Sequence, residues 1–241
     1  MLSIIIPVLN EAATIKHLLI FLSENSSGEN EIEILVVDGG SIDGTVKIIK
    51  DFAEISQVYI QLISSEKGRA KQMNKGSQEA SGKILYFLHA DSFPPKNFDK
   101  FIISEVKKGN PAGCFRMQFD NNHWWLQLAG WLTQFSWRAC RGGDQSLFIT
   151  KQLFEEIGGY DENFIIYEDN ILINELYGRK KFVIIQHWLT TSARLYNQKG
   201  VWNLQYHFWA IYVKRWLGAD ADELYNYYLK HIMQKAQIQT S

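Results

Sequence analysis

Cysteine is nearly absent from this chain: Cys114 and Cys140 are the only two in 241 residues. That excludes a disulfide framework. The pair has no metal-site spacing, so a reducing, cytoplasmic setting is expected. Net charge is almost lacking as well, at -1, which removes the bulk electrostatic signature of a nucleic-acid binder. No apolar run approaches the roughly 20 residues that a bilayer span needs. Met1-Leu2-Ser3-Ile4-Ile5-Ile6-Pro7 has no basic segment and enters a strand pattern at once, so no secretory leader is expected. Internal repeats, low-complexity tracts and obvious linkers are missing too. So are the two common Gly-rich phosphate cradles. No Gly-x-Gly-x-x-Gly follows the first strand pattern. Gly76 and Gly82-Lys83 resemble a P-loop only superficially, because five residues separate the glycines, no Ser or Thr follows Lys83, and a strand comes next. Tryptophan is absent from the first half; all eight lie at or beyond Trp124. The two halves are therefore expected to do different jobs.

What is present is a strand–helix alternation over roughly the first 110 residues. Strands are predicted at Leu2–Val8, Ile32–Val37, Val58–Ile63 and Lys83–Leu88. Helices are predicted after Asn10, which is placed to cap with Glu11 in the first turn, and at Thr45–Phe52, Gly68–Ala80 and Pro95–Val106. Short connections between such elements imply βαβ units and a mainly parallel sheet flanked by helices. The second half is less regular. It reads as strands at Ala112–Phe119, 144–150 and Lys181–Ile185. Its helices are expected at Asn122–Trp137, Lys151–Ile157 (ended by Gly158-Gly159), Asp169–Tyr177, Val201–Leu217 and 220–234. A single α/β domain is expected over 1–241, with a nucleotide-binding half at 1–110, an acceptor and catalytic part at 111–199, and C-terminal helices at 200–241.

Acids stand where such a sheet would bind a ligand. Ile84-Leu85-Tyr86-Phe87-Leu88-His89-Ala90-Asp91 is a buried-strand pattern that stops at a carboxylate, and Ile32 to Val37 runs into Asp38-Gly39-Gly40 in the same way. Ligands of α/β sheets bind outside the carboxyl ends of the strands, so Asp91 is placed to hold a divalent metal on a phosphate-bearing ligand. Asp38 either accepts a base N–H or braces its own turn, while Asp43-Gly44 reads as a turn and helix start. Arg69 opens a helix and is the better phosphate candidate; Lys71 and Lys75 read as a solvated face. His89 lies two residues before Asp91 and is a weaker metal candidate. Glu168-Asp169 enters a helix, where the acids either cap it or aim a general base into a cleft.

Taken together, Ser3 to Glu11, Val37 to Thr45, Gly68 to Asn74, His89-Ala90-Asp91 and Glu168-Asp169 resemble the inverting family-two glycosyltransferases of GT-A fold, in that family's order. Gly142-Gly143-Asp144-Gln145 and Thr191-Ser192-Ala193-Arg194 are similar to a compact bacterial subgroup without membrane spans. The resemblance implies a Rossmann-like GT-A sandwich and transfer from a nucleotide-sugar donor, commonly a UDP-sugar. It implies that Pro7, Asn10 and Glu11 line the nucleotide pocket, that Asp38 pairs with the base, that Arg69 approaches the nucleotide, and that Asp144 and Gln145 contact substrate. Asp91 matches the acid of the metal-binding signature for Mn²⁺ or Mg²⁺, with His89 at the position of its first acid. Asp169, beside Glu168, matches the general base, and Arg194 a cation near the leaving diphosphate; Leu195 replaces the subgroup's second Arg.

The tryptophans bear on the acceptor. Trp202, Trp209 and Trp216 recur every seven residues on one helix face, and Trp124, Trp125, Leu128, Trp131, Leu132 and Phe135 make a second apolar stripe. Three readings stand: packing of two helices onto the sheet, an interfacial surface with Lys214 and Arg215 at the headgroups of the inner membrane face receiving a lipid-linked acceptor, or a homodimer contact. Two rival functions stand beside sugar transfer. A sugar-phosphate nucleotidylyltransferase needs a Gly-rich basic loop after the first strand, where this chain has Pro7-Val8-Leu9-Asn10-Glu11. A non-catalytic nucleotide-sugar-binding scaffold would not need both Asp91 and Glu168-Asp169.

Overall fold

The structure is a computed structural model that describes residues 1–142 and 145–233; the expected contact at Asp144 and the helix end near 234 lie outside the described residues. Strand β1 (Leu2–Val8) is buried along its whole length except Pro7, as a sequence apolar but for Ser3 fits a strand covered on both faces. It lies between β2 (Ile32–Asp38) and β4 (Ile84–Phe87), parallel to both, and β3 (Tyr59–Ser64) extends the sheet beyond β2. Pro7 lacks an N–H, and β4 pairs β1 only as far as Ile5, so the proline sits past the last β4 partner.

The connecting helices are α1 (Ile15–Asn25), α2 (Thr45–Ala53) and α3 (Arg69–Glu79). The chain then adds β5 (Ser92–Phe93), α4 (Phe98–Lys107), β6 (Ala112–Phe119), α5 (Trp124–Leu132), β7 (Leu147–Thr150), α6 (Lys151–Ile157), α7 (Glu168–Gly178), β8 (Val183–Thr191), α8 (Arg194–Lys199), α9 (Val201–Trp216) and α10 (Ala221–Tyr228). One sheet runs through all of this, in the order β3-β2-β1-β4-β7-β6-β8-β5. β7 is antiparallel to β4 and β6, while β8 runs parallel to β6. The expected α/β sandwich is the one observed.

Alternation along β1 divides the core. Ile4 and Ile6 pack with α1, α2 and α4, whereas Ile5 packs with α3, α6 and α7. Burying each such side chain contributes roughly 1.5–3 kcal/mol. Close approach of α3 to the sheet depends on Gly76, where an added Cβ would lie 2.5 Å from the Ile5 Cγ2 atom. The break in the β2 run, Glu33, is buried but satisfied: it accepts from Ser3 Oγ at 2.6 Å and from the Ser81 and Gly82 amides.

Several sequence-based boundaries move. Asn10 does not cap α1: it has φ of 57° and the helix begins at Ile15, because the amides of Asn10, Glu11 and Ala12 bond to side chains at 41–45 instead. The helix expected from Pro95 begins at Phe98, behind Asn97 at φ 61°. The helix expected to reach Trp137 ends at Leu132, where the Thr133 hydroxyl turns back to the Gly130 carbonyl at 2.6 Å and accepts from the Met117 amide. A single 3-10 turn follows at Arg138–Cys140. Helix α6 ends as expected at Gly158, with φ of 94°.

A third apolar cluster joins α5, α8, α9 and α10 through Leu126, Tyr196, Leu204, Ile211 and Leu224. The packing reading for the tryptophans is met only in part. Trp202 and Trp209 are 49% and 46% exposed and Trp216 is 84% exposed, and the ring contacts of Trp202 and Trp209 are with the tryptophans of α5. Among the described residues, no helix is long and apolar enough to cross a membrane.

Candidate active site

The parallel strands β1, β2 and β4 end at one edge of the sheet, and the strand order reverses beside β1, where a ligand crevice forms. The loops that follow β1 and β2 are sewn together there. The Asn10 amide donates to Ser41 Oγ at 2.8 Å, and the Ile42 amide donates to the Asn10 side chain at 2.9 Å. Asp38 is buried and accepts from the Gly40 amide at 3.0 Å and the Ser41 amide at 3.1 Å. This is the turn-bracing role. Asp43 is also a turn acid, as expected, with its carboxyl held below the ordinary carboxylate range chiefly by the Thr45 hydroxyl.

Glu11, Asp91 and Arg194 converge on the same edge. The Arg194 guanidinium lies 3.1 Å from the Glu11 carboxylate, and the Ser192 amide donates to the Asp91 carbonyl at 3.2 Å. The hydrogen bond that Arg194 donates to Glu11 raises the Arg194 guanidinium, and the charge of Asp91 adds to it. Among the described residues no group of three or more His, Cys, Asp or Glu is arranged to hold a metal ion. Asp91 alone still fits a hard divalent cation of the kind that binds through one or two carboxylates plus substrate phosphates. His89 lines a narrow cleft with Pro7, Met73, Gln145, Tyr160 and Asp169.

Helix α7 begins with Glu168 and Asp169, both buried, at 1% and 7% exposure. Arg69, expected to approach a nucleotide, reaches them from α3: its Nη1 is 3.3 Å from Glu168 Oε1 and 3.8 Å from Asp169 Oδ2. Burial pushes the Glu168 carboxyl up, and the Arg69 charge opposes that shift. Burial also raises the Tyr160 hydroxyl, helped by the charges of Asp169 and Glu168. Lys71 and Lys75 take no part; they pair with Glu66 and Glu79 on the surface, as a solvated face would.

On the other side of Asp169 lies an open cavity of about 1070 Å³ between α5, α7, α8 and α9. Gln145 borders both the cleft and this cavity. It accepts from Arg141 at 3.0 Å and donates to the Cys140 carbonyl at 3.1 Å, so much of its amide is spent on structure.

Sequence reading missed several residues that build the site. Gln72 is buried and donates to the Val8 carbonyl at 2.8 Å and the Val37 carbonyl at 2.7 Å, tying off the ends of β1 and β2. Asn74 donates to the Tyr160 carbonyl at 2.9 Å and accepts from the Tyr160 amide, fixing the chain that leads into α7. Arg138 holds α7 through Asn170 and Asn174. The available signal was a polar residue on the buried face of α3; for Arg138 and Arg141 the local pattern held none.

The sheet order, the acid-bearing edge and the flanking helices define a GT-A-type fold. Residues 3–163 match the sequence model of Glycosyl transferase family 2, and the chain belongs to that family. It is 36% identical over 105 residues to Glycosyltransferase AglE of Haloferax volcanii, covering 43% of this chain and 34% of that protein. It is 24% identical over 192 residues to the probable glycosyltransferase YdaM of Bacillus subtilis, covering 71% of this chain and 45% of that one. The chain therefore spans less than half the length of these two relatives. A PGL/p-HBAD biosynthesis glycosyltransferase of Mycobacterium tuberculosis is 29% identical over 175 residues, 70% of this chain and 66% of its own. In fold, the chain is similar to Staphylococcus aureus TarS 1–349 solved with UDP (TM-score 0.67, 17% identity, 80% of this chain and 60% of that one). It is also similar to the mannosyltransferase PcManGT of Pyrobaculum calidifontis solved with GDP-Man and Mn²⁺ (TM-score 0.66, 17% identity, 100% of this chain and 70% of that one).

Proposed function

We propose that this protein moves a sugar from a nucleotide-sugar donor, a UDP-sugar in the first instance, to an acceptor hydroxyl by a single displacement that inverts the anomeric carbon. One observation carries the proposal: Asp169, buried at the start of α7 and met by Arg69 from α3, lines the large cavity. A base in that place faces an acceptor bound in the cavity. Asp169 takes the proton of the acceptor hydroxyl as its oxygen attacks, the anomeric carbon–oxygen bond to the diphosphate breaks, and the nucleoside diphosphate leaves. In this proposal residues 1–110 hold the nucleotide and 111–199 the acceptor.

The nucleoside lies along Pro7, Asn10, Glu11 and Asp38. Asp38 still has lone pairs for a base N–H after bracing its turn, since a carboxylate offers about four acceptor sites. Arg69, at the start of α3 and beside the Glu168-Asp169 pair, approaches the nucleotide. Arg194 answers the diphosphate charge. Arg194 is about half exposed in its pair with Glu11, and pairs open to water on one side are weak, so a phosphate can take the place of Glu11. Asp91 would hold Mn²⁺ or Mg²⁺, which when bound neutralises charge on the departing diphosphate.

The exposed Trp131, Trp137, Trp202 and Trp216, with Lys214 and Arg215 nearby, support a peripheral contact with the inner face of a membrane rather than with a second copy. Vesicle co-sedimentation with and without anionic lipid tests that contact, and absence of binding in both removes it. The transfer itself is tested by incubating the protein with UDP-, GDP- and dTDP-sugars and Mn²⁺ and measuring nucleoside diphosphate release. Release from the UDP-sugar is expected. Binding without release would turn the proposal toward a scaffold, and no binding of any donor would overturn it.

A further inference from the structure

The cavity beyond Asp169 is larger than a simple sugar acceptor requires. At about 1070 Å³ it reaches the top of the roughly 300–1,000 Å³ range of small-molecule sites. Its far wall is apolar, built from Trp125, Leu132, Phe208, Trp209 and Trp216. The side-chain amide oxygens there are already committed to the protein. Gln205 accepts from the Trp125 indole at 3.1 Å, and Asn170 and Asn174 accept from Arg138. A glycan needs acceptors as well as donors along its length, and these amide oxygens are spent on the protein itself.

Charge is distributed unevenly. At the near end, Arg69 is matched by Glu168 and Asp169. Arg138 and Arg141 also line the cavity, and their hydrogen bonds go to neutral acceptors. Arg138 donates to the Asn170 carbonyl and side chain, to Asn174 and to the Arg141 carbonyl. Arg141 is only 2% exposed and donates to Gln145 and to the Thr133 and Phe135 carbonyls, and its Nε has no partner. Among the described residues neither makes an ion pair with a carboxylate. Two cationic groups without counter-charge, next to the candidate base, favour an anion. The mouth is edged by Ile165, Val213 and Trp216, at 46%, 53% and 84% exposure, with Lys214 and Arg215 on the same helix. That is the chemistry of an apolar–water boundary.

We infer that this cavity takes an anionic amphiphile drawn from a membrane surface: its apolar chain lies between α5 and α9, and its phosphate or carboxylate sits at Arg138 and Arg141, beside the hydroxyl that faces Asp169. The hydroxyl placement rests on the transfer proposal; the chain and anion placement do not. The test follows tryptophan emission, since Trp125, Trp209 and Trp216 line the cavity, while titrating with decyl phosphate, decyl maltoside and inorganic phosphate below micelle formation. Decyl phosphate should bind at least about tenfold more tightly than either of the others, the size expected of one or two hydrogen bonds to a charged group. Arg138→Gln should lose about tenfold for decyl phosphate and little for decyl maltoside, while Arg138→Lys, which keeps the charge, should retain most of the affinity. Ala129→Phe, which fills the cavity, should weaken both amphiphiles. Equal binding of maltoside and phosphate heads, binding of inorganic phosphate as tight as that of decyl phosphate, or indifference to Ala129→Phe would each overturn the inference. UDP binding is measured on the same samples. Loss of UDP binding with decyl phosphate binding intact would remove the transfer proposal alone, and the reverse would remove this inference alone.

Discussion

Helices α3 and α9 invert the usual relation between composition and burial. α3 carries Arg69, Lys71, Gln72, Asn74, Lys75 and Glu79 in eleven residues, yet it buries Ala70, Gln72, Met73, Gly76 and Ser77 against the sheet. α9 is rich in aromatic residues over its 16 positions, yet it buries only Leu204, His207 and Ile211. The difference is one of fit. Small residues bring α3 close enough for the Gln72 amide to reach two strand ends at once. Trp202 and Trp209 of α9 meet the tryptophans of α5, and Trp209 and Trp216 line an open cavity. A polar helix is thus held by close contact at the strand ends, and an apolar helix is left open beside the cavity. Large apolar exposure of this kind marks a binding surface more often than a failure of packing.

Four measurements would break or sharpen that contrast. The largest effect is expected at the point where the two regions meet. Asp169→Asn should lower donor turnover by about 10²–10⁴ while leaving nucleotide affinity within a factor of a few, because a positioned base contributes that much. Near-normal turnover would mean that the junction does not hold the base. Next, Gly76→Ala should cost about 1–3 kcal/mol, the price of overpacking a tight core, since its Cβ would press on Ile5 and Val37. In a domain of this size that lowers the melting temperature by roughly 2–4 °C per kcal/mol. The larger change Ala129→Phe, made into the cavity, should stay within about 0.5 kcal/mol. Equal losses would show both helices to be packed alike.

A smaller, pH-dependent effect is expected at Glu168. Its carboxyl is raised in the folded state by burial, against the Arg69 charge. A carboxyl raised by folding favours the fold below its unfolded value, and that contribution is lost as pH climbs through the folded value. Glu168→Gln removes the loss, so its melting temperature relative to the native chain should rise as pH goes up from the ordinary 4.5. A difference that does not change with pH would refute the assignment. The smallest effect belongs to Lys75→Ala. Its pair with Glu79 is about 40% exposed, and such surface pairs contribute little because water and salt screen them, so the melting temperature should barely move. A larger loss would show that charge, not fit, holds α3 in place.

The strands of the first half were legible because β1, β2 and β4 are buried on both faces, and such strands are nearly continuous apolar runs. The acids Asp38 and Asp91 stood out because each interrupts such a run at its end. The start of α1 was not legible. Asn10, Glu11 and Ala12 look like a helix entry, but their amides bond to side chains more than 30 positions away. Nor was the end of α5 legible, because Thr133 stops it by bonding to Met117 on β6. Arg138 and Arg141 carry no local mark of burial at all.

Local periodicity settles which segments become strands and helices here, and the ends of the apolar runs settle where the acids stand, because both depend on neighbours within a few residues. The sequence therefore determined the doubly wound half and the place of Asp38 and Asp91 at the ends of its apolar runs. Only the tertiary structure decided that Arg69 meets Glu168 and Asp169 across 99 and 100 residues of chain, that Arg138 and Arg141 line a cavity, and that the tryptophans of α9 stay open to its mouth. Those outcomes depend on which distant surface a side chain meets, and no spacing within one helix carries that information.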